Sequence, residues 1–114
     1  MKVNKFNEAS SYIAANHEGS ISLRLQGHEA GGSKNHWIGL SHYLPGGRAG
    51  PDSSPVEKSY VVISGALTVI VDGQEFQLQR FDSCTIAPGE TREAVNRSNE
   101  VCTLLVVIPY LPGG

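Results

Sequence analysis

Short runs of alternating apolar and polar residues, separated by glycine- and proline-rich turns, set the strongest limit on how this chain can fold. Residues 21–25 alternate Ile, Leu and Leu with polar side chains, which is the pattern of a half-buried strand. The pair Asp72-Gly73 separates two further runs and predicts a two-residue hairpin. The 13 glycines and 6 prolines provide turns along the whole chain. Short strands at regular spacing therefore predict an all-β sandwich or barrel.

The remaining elements follow from the same pattern. The further predicted strands cover residues 36–44, 60–63, 66–71, 75–78, 83–86, 92–95 and 101–108. Residues 45–47, Pro-Gly-Gly, are expected to end the strand that begins at His36. Residues 7–16 are expected to form one short helix or a loop, and residues 27–35 a glycine-rich loop.

Composition limits the class of protein. Lys and Arg total 9 against 11 Asp and Glu, a formal net charge of -2, so the basic excess typical of a nucleic-acid binder is missing. Apolar stretches such as that around residues 61–63 are too short to cross a bilayer. The 114 residues are enough for one domain, residues 1–114, with its own core. We expect a single domain without a nucleic-acid or membrane partner.

The N-terminus and the cysteines bear on location. The chain starts with polar sequence instead of the apolar segment of a signal peptide, so a cytoplasmic protein is expected. Cys84 and Cys102 stand alone in strand-like runs, without the paired spacing of a zinc site. We interpret both as small buried apolar side chains. A nucleophilic cysteine is the alternative, although no histidine lies near either one in sequence.

Three segments, in this order, resemble the cupin superfamily. The first is PGGRAGPDSSPVEKSYVVISGALTVIVDGQ at residues 45–74, and the second is FDSCTIAPGETREAVN at residues 81–96. The tail LLVVIPYLP is similar to the closing strand of small single-domain cupins. The resemblance implies an all-β cupin barrel, the double-stranded β-helix or jelly roll of RmlC-like proteins. Gly65 and Gly73 then fall at turns that need a positive φ. It also implies a homodimer that pairs through N-terminal strands.

The chain departs from the family at the metal ligands. Cupins usually hold a metal with three histidines and one carboxylate or further histidine. In this sequence those positions fall on Asp52, Ser54, Lys58 and Arg92, and none is histidine. Lys and Arg are cations at neutral pH and poor metal ligands. Two such charges in one pocket repel a divalent ion. The sequence therefore predicts a cupin lacking the metal-binding histidines, with no metal and no cofactor at this site.

Two cations and one carboxylate suggest an anion pocket. Arg92 is expected to bind a carboxylate, phosphate or enolate. Lys58, with a lowered pKa, would act as a base or Schiff-base nucleophile, and Asp52 as general acid or base. The leading interpretation is a metal-independent lyase or isomerase that acts by acid–base chemistry on a small anionic or carbonyl substrate.

Three other interpretations stay open. One is a non-catalytic module that binds a small acid or sugar. Another is a degenerate site, in which Asp52 pairs with Lys58 or Arg92 as a polar plug. The third is a metal-dependent dioxygenase or isomerase that recruits His36 and His42 as ligands.

The remaining candidate residues are histidines and aromatics. His36 and His42 share one face of a predicted strand, which alternation does not assign to the inside or outside. His42 is a candidate catalytic residue; the candidate ligand-binding residues are His36, Trp37, Tyr43, Ser54 and Tyr60. Tyr60 lies two residues after Lys58 and therefore on the same face of the strand, so it is expected to face the pocket. Packing in the core is the ordinary alternative for the aromatics. His17 and His28 are expected at the surface.

Overall fold

The computed structural model describes residues 1–111, which form nine strands and two short 3-10 turns. The strands are β1 (Ser11–Tyr12), β2 (His17–Gln26), β3 (His36–Asp52), β4 (Lys58–Ser64), β5 (Leu67–Val71), β6 (Gln74–Leu78), β7 (Ser83–Ile86), β8 (Arg92–Val95) and β9 (Cys102–Pro109). The 3-10 turns are Phe6–Glu8 and His28–Ala30. The predicted all-β architecture is confirmed. Within residues 1–111 no helix is long and apolar enough to span a membrane.

Strand β3 organises the barrel because it joins two parts of the sheet, which we call wings. One wing consists of β8, β5 and β6, and the other consists of β9, β4 and β7. Its first half pairs with β9, and its second half pairs with β8. The order β6-β5-β8-β3-β9-β4-β7 then brings the two wings face to face, with β2 along the other side of β3. Since β6 and β7 are the two free ends of this order, the barrel stays open between them.

The Pro-Gly-Gly segment does not end the strand, contrary to the prediction. Strand β3 continues through residues 45–47 to Asp52. Gly46 adopts φ +81° and donates its N–H to the Asn96 carbonyl at 2.7 Å, while the Asn96 N–H returns a bond to the Gly47 carbonyl at 2.9 Å. The strand therefore changes partners and bends here, which carries it from one wing to the other.

The N-terminal segment contains the short strand β1 in addition to a 3-10 turn. Strand β2 confirms the predicted alternation, but its polar side chains face the barrel interior. Ser22 is buried and shares a 2.9 Å hydrogen bond with buried Ser41, whereas Ile21 is 54% exposed. The apolar residues of β2 therefore lie on the outer face of the sheet.

The core fills the space between the two wings. Its largest fully buried apolar side chains are Val62, Leu67, Cys102 and Leu104, one or two from each of β4, β5 and β9. The predicted hairpin is confirmed, because Asp72 and Gly73 adopt φ +53° and +72° between paired β5 and β6. Both free cysteines confirm the expected buried role, Cys102 fully and Cys84 in part.

Candidate functional site

Arg92 is a buried cation whose hydrogen bonding is incomplete. It lies on β8 opposite Asp52 of β3, and only 3% of its surface is exposed. Its Nε and Nη1 atoms make no hydrogen bond within the part of the chain that the structure describes. Its Nη1 lies 3.1 Å from where a Cβ on Gly50 would be, so the absent side chain leaves room for the guanidinium. Unpartnered donors are costly to bury, and these two nitrogens are able to donate hydrogen bonds to an anion.

Lys58 and Asp52 lie near this guanidinium but do not neutralise it. Lys58 is half-buried at the start of β4, and burial together with the charge of Arg92 lowers the pKa of its ammonium. Asp52 is exposed at the end of β3 and opposes that shift only weakly. Among residues 1–111, no ion pair joins Asp52 to either cation within 4.0 Å. The polar plug therefore does not form, and a net positive charge remains.

His17 also faces this charge from the start of β2. Its ring lies 6.1 Å from the ring of Tyr43, centroid to centroid. Burial, followed by the charges of Arg92 and Lys58, lowers the pKa of the imidazole, although the Ala15 carbonyl opposes the shift. That carbonyl lies 2.7 Å from Nδ1 and can only accept a hydrogen bond, so Nδ1 carries the proton of the neutral ring. The Nε2 atom is then left as a proton acceptor.

Two buried phenols complete the group. Tyr43 on β3 and Tyr60 on β4 are 2% and 4% exposed, and burial raises the pKa of both hydroxyls. The Arg92 guanidinium carbon lies 6.0 Å from the Tyr60 ring centroid, and its charge opposes that shift. Both phenols therefore remain protonated donors at neutral pH. We call the residues His17, Tyr43, Asp52, Lys58, Tyr60 and Arg92 the Arg92 cluster.

The other sequence-predicted candidates lie away from this cluster. His42 lies on the outer face of β3, where its Nδ1 is 3.0 Å from Thr103 Oγ1, and His36 shares that face. Ser54 Oγ bonds the backbone of Val56, so it holds a loop turn. Trp37 packs near the other end of the barrel against Tyr12. The structure brings together five of the candidates with His17.

Sequence reasoning missed His17 because a β-bulge reverses its side. Plain alternation gives His17 the same face as Ile21, which is the outer one. The register of β2 shifts between Glu18 and Ser20, and Gly19 there adopts φ +66°. His17 therefore lies opposite buried Ala49, inside the barrel. A glycine inside a strand pattern is the sequence signal that indicates such a bulge.

The residues of the Arg92 cluster do not fit the metal that the cupin resemblance implies. Within residues 1–111, no group of three or more His, Cys, Asp or Glu side chains is arranged to hold a metal ion. The cluster offers one imidazole and one exposed carboxylate, next to two cationic side chains. Arg and Lys donate hydrogen bonds and supply no lone pair to a metal while charged. The same donors suit a carboxylate or an enolate, which carries negative charge on oxygen.

Comparison with known proteins gives a family and a close relative. The model of the Cupin_2 family, described as a cupin domain, matches residues 39–108. A Mycobacterium tuberculosis (strain ATCC 25618 / H37Rv) protein named Beta-D-galactosidase Rv1717 is 42% identical over 110 residues, which cover 96% of this chain and 95% of that protein.

Solved structures show the same fold. The polyketide cyclase RemF from Streptomyces resistomycificus aligns with a TM-score of 0.84 and 18% identity, over 96% of this chain and 79% of that one. A sugar phosphate isomerase of the cupin superfamily from Silicibacter pomeroyi aligns with a TM-score of 0.81 and 23% identity, over 98% and 77% of the two chains. The barrel described above is thus shared with enzymes of different chemistry.

Proposed function

The chain belongs to the cupin domain family, and on that premise we propose that it is a metal-independent enzyme that performs acid–base chemistry on a small anionic or carbonyl-bearing substrate. The observation that carries this proposal is the buried Arg92, whose Nε and Nη1 lack partners within residues 1–111. Removing such a charge from water without a partner destabilises the fold, so its presence is best explained by a ligand. The reaction class is that of a lyase or isomerase.

Four residues of the Arg92 cluster have a role in this proposal. Nε2 of His17 removes a proton from the carbon next to a carbonyl, and the C–H electron pair moves to the carbonyl oxygen. Arg92 and Lys58 stabilise the resulting enolate by their charge. Tyr60 donates a hydrogen bond to the same oxygen. Reprotonation at a different position completes an isomerisation, whereas departure of a β-substituent completes an elimination.

Hydrogen–deuterium exchange tests this reaction class before the substrate is known. Small 2-oxo acids, sugar phosphates and uronic acids are incubated with the protein in D₂O with a chelator, and loss of the proton signal is followed by NMR. We expect exchange for one class of compound, and its loss in Arg92→Met and His17→Gln. Activity that the chelator abolishes and a metal restores would favour the metal-dependent alternative. Binding without exchange would favour the non-catalytic module.

Hydrolysis of a β-galactoside is a second candidate, and the 42% identical relative named Beta-D-galactosidase favours it. Most glycoside hydrolases use a pair of carboxylic acids on either side of the bond. The Arg92 cluster contributes one carboxylate, that of Asp52. Release of nitrophenol from nitrophenyl β-D-galactoside, lost in Asp52→Asn, would support this candidate over the acid–base enzyme.

We also propose that the chain forms a homodimer through the outer face of the sheet. Leu23, Leu40, Leu105 and Val61 pair in register across β2, β3, β9 and β4, and all four are half-buried. They form a row on the face opposite the buried Ser41 and Tyr43. Apolar residues that a single barrel does not cover favour a second copy as the partner.

A further inference from the structure

We propose that the ligand of the Arg92 cluster is an amphipathic carboxylic acid, with its carboxylate at Arg92 and Lys58 and its apolar body in the gap between β6 and β7. This inference rests on the proposed function, because it takes the cluster as the anion site. It adds the substrate class, which neither the cluster nor the family specifies.

The gap is an apolar cleft. It has a volume of about 320 Å³, which is the size of a small-molecule site. The side chains that line it from one wing are mainly Val69, Val71, Phe76 and Leu78, and those from the other are Cys84 and Ile86. The polar lining residues, Asp72, Gln74, Thr85 and Glu90, are fewer than these apolar ones. The cleft therefore suits a hydrocarbon group.

Three register pairs place the inner end of the cleft beside the cluster. Val71 of the cleft lies opposite Arg92 across β5 and β8. Cys84 lies opposite Tyr60 across β7 and β4, and Ile86 lies opposite Lys58 in the same pair of strands. One ligand can therefore contact the cations with one end and the apolar walls with the other.

The free donors of Arg92 fix the direction of the ligand. Asp72 and Glu90 lie among the residues that line the cleft, and burial, followed by the charge of Glu90, raises the pKa of the Cys84 thiol. Asp72 directly follows Val71, and Glu90 accepts a hydrogen bond from the N–H of Ala87, next to Ile86, so both carboxylates lie at the same end of the cleft as Arg92 and Lys58. The ligand carboxylate is therefore placed at the Arg92 nitrogens that lack partners within residues 1–111, and the apolar body extends away from them along Val69, Phe76 and Leu78.

The test compares three probes by isothermal titration calorimetry on the full chain. Acetate carries the charge alone, 1-hexanol carries the chain alone, and hexanoate carries both. Each buried methylene tightens binding by about fourfold. We expect hexanoate to bind at least about tenfold more tightly than acetate or hexanol. The Arg92→Met variant should bind hexanoate only as tightly as it binds hexanol.

Matched variants separate the cleft from the rest of the barrel. Val71→Thr introduces a hydroxyl into the cleft at nearly constant volume, and it should weaken hexanoate several-fold without affecting acetate. Val61→Thr makes the same change on the outer face and should leave both affinities unchanged. Alkylation gives an independent readout, because hexanoate should slow the modification of half-buried Cys84. Fully buried Cys102 should stay unmodified with and without the ligand.

The outcomes distinguish the inference from the proposal beneath it. If acetate and hexanoate bind equally and Arg92→Met weakens both, the anion site stands and the amphipathic ligand is wrong. If neither acid binds and Arg92→Met changes nothing, the proposed function itself fails. If D-galactose binds and hexanoate does not, the inference is overturned in favour of a sugar site.

Discussion

Arg92 carries a charge that the fold removes from water without supplying a partner for its Nε and Nη1 within residues 1–111. At the position that resembles a metal ligand of the family, the sequence alone shows only that histidine is replaced. The structure adds that the guanidinium is buried and that Asp52 stays exposed. At the scale of the residue, the site is therefore defined by an unsatisfied donor rather than by a completed ion pair.

The first prediction concerns the stability cost of Arg92. Arg92→Met keeps the length of the side chain and removes the unpaired charge, so we expect the free energy of unfolding to rise by about 1–3 kcal/mol. Urea denaturation measures this change. Arg97→Met is the control, because Arg97 pairs with Glu75 on the surface. This substitution should change the free energy of unfolding by less than about 1 kcal/mol. A clear loss of stability in Arg92→Met would make Arg92 structural.

The second prediction concerns His17 and pH. Burial and the charges of Arg92 and Lys58 lower its pKa below 6.5 in the folded protein. As the pH falls below 6.5, the unfolded chain binds this proton before the folded one does, so stability is lost on acidification. We expect His17→Gln to lose less stability than the parent between about pH 8 and about pH 5. If the stabilities of the two proteins changed with pH in parallel, the pKa of His17 would not be lowered by folding.

At the scale of the element, glycines decide where strands bend and which way they face. The bulge at Gly19 turns His17 inward, and the bend at Gly46 carries β3 from one wing to the other. Periodicity predicted β7 and β8 at their observed limits but ended β3 too early. A turn signal describes local backbone preference, whereas the hydrogen bonds from β8 and Asn96 keep this segment extended.

The third prediction compares two glycines with the same backbone conformation. Gly65 and Gly73 adopt φ +78° and +72°, so alanine at either carries a cost of about 1 kcal/mol for a left-handed conformation. A Cβ on Gly65 would lie 2.6 Å from the Val101 carbonyl oxygen, whereas one on Gly73 meets nothing within 4 Å. We therefore expect Gly65→Ala to lose at least twice as much unfolding free energy as Gly73→Ala. Equal losses of unfolding free energy in urea denaturation would show that the backbone at Val101 moves to make room for the added Cβ.

At the scale of the whole molecule, β2 and β3 add polar side chains to a mainly apolar interior and carry apolar side chains on their outer face. Ser22 and Ser41 are buried while Ile21 is exposed, which reverses the usual arrangement. Ser22 and Ser41 hydrogen-bond to each other, and the proposed homodimer accounts for the outer apolar row.

The fourth prediction tests that dimer. Leu40→Glu places a charge in the middle of the apolar row and should convert the dimer to a monomer in analytical ultracentrifugation. Ile21→Glu changes a 54% exposed position beside the row and should also weaken the dimer. It tests the same interface if Leu40→Glu fails to fold. Phe81→Glu is the control, because Phe81 is 67% exposed and lies outside the row. A parent chain that sediments as a monomer would refute the proposal.

The sequence by itself determined the all-β class, the approximate bounds of β4 to β9, the hairpin at Asp72-Gly73 and the placement of Lys58 and Tyr60 on one face. These depend on local patterns of two-residue period and on turn residues, which a linear sequence contains. Only the tertiary structure decided that His17 lies in the cluster, that His42 lies outside it, and that Arg92 is buried with its Nε and Nη1 unpartnered within residues 1–111. These outcomes depend on a bulge, on the curvature of the sheet and on which face closes inward, and all three arise from contacts between distant parts of the chain.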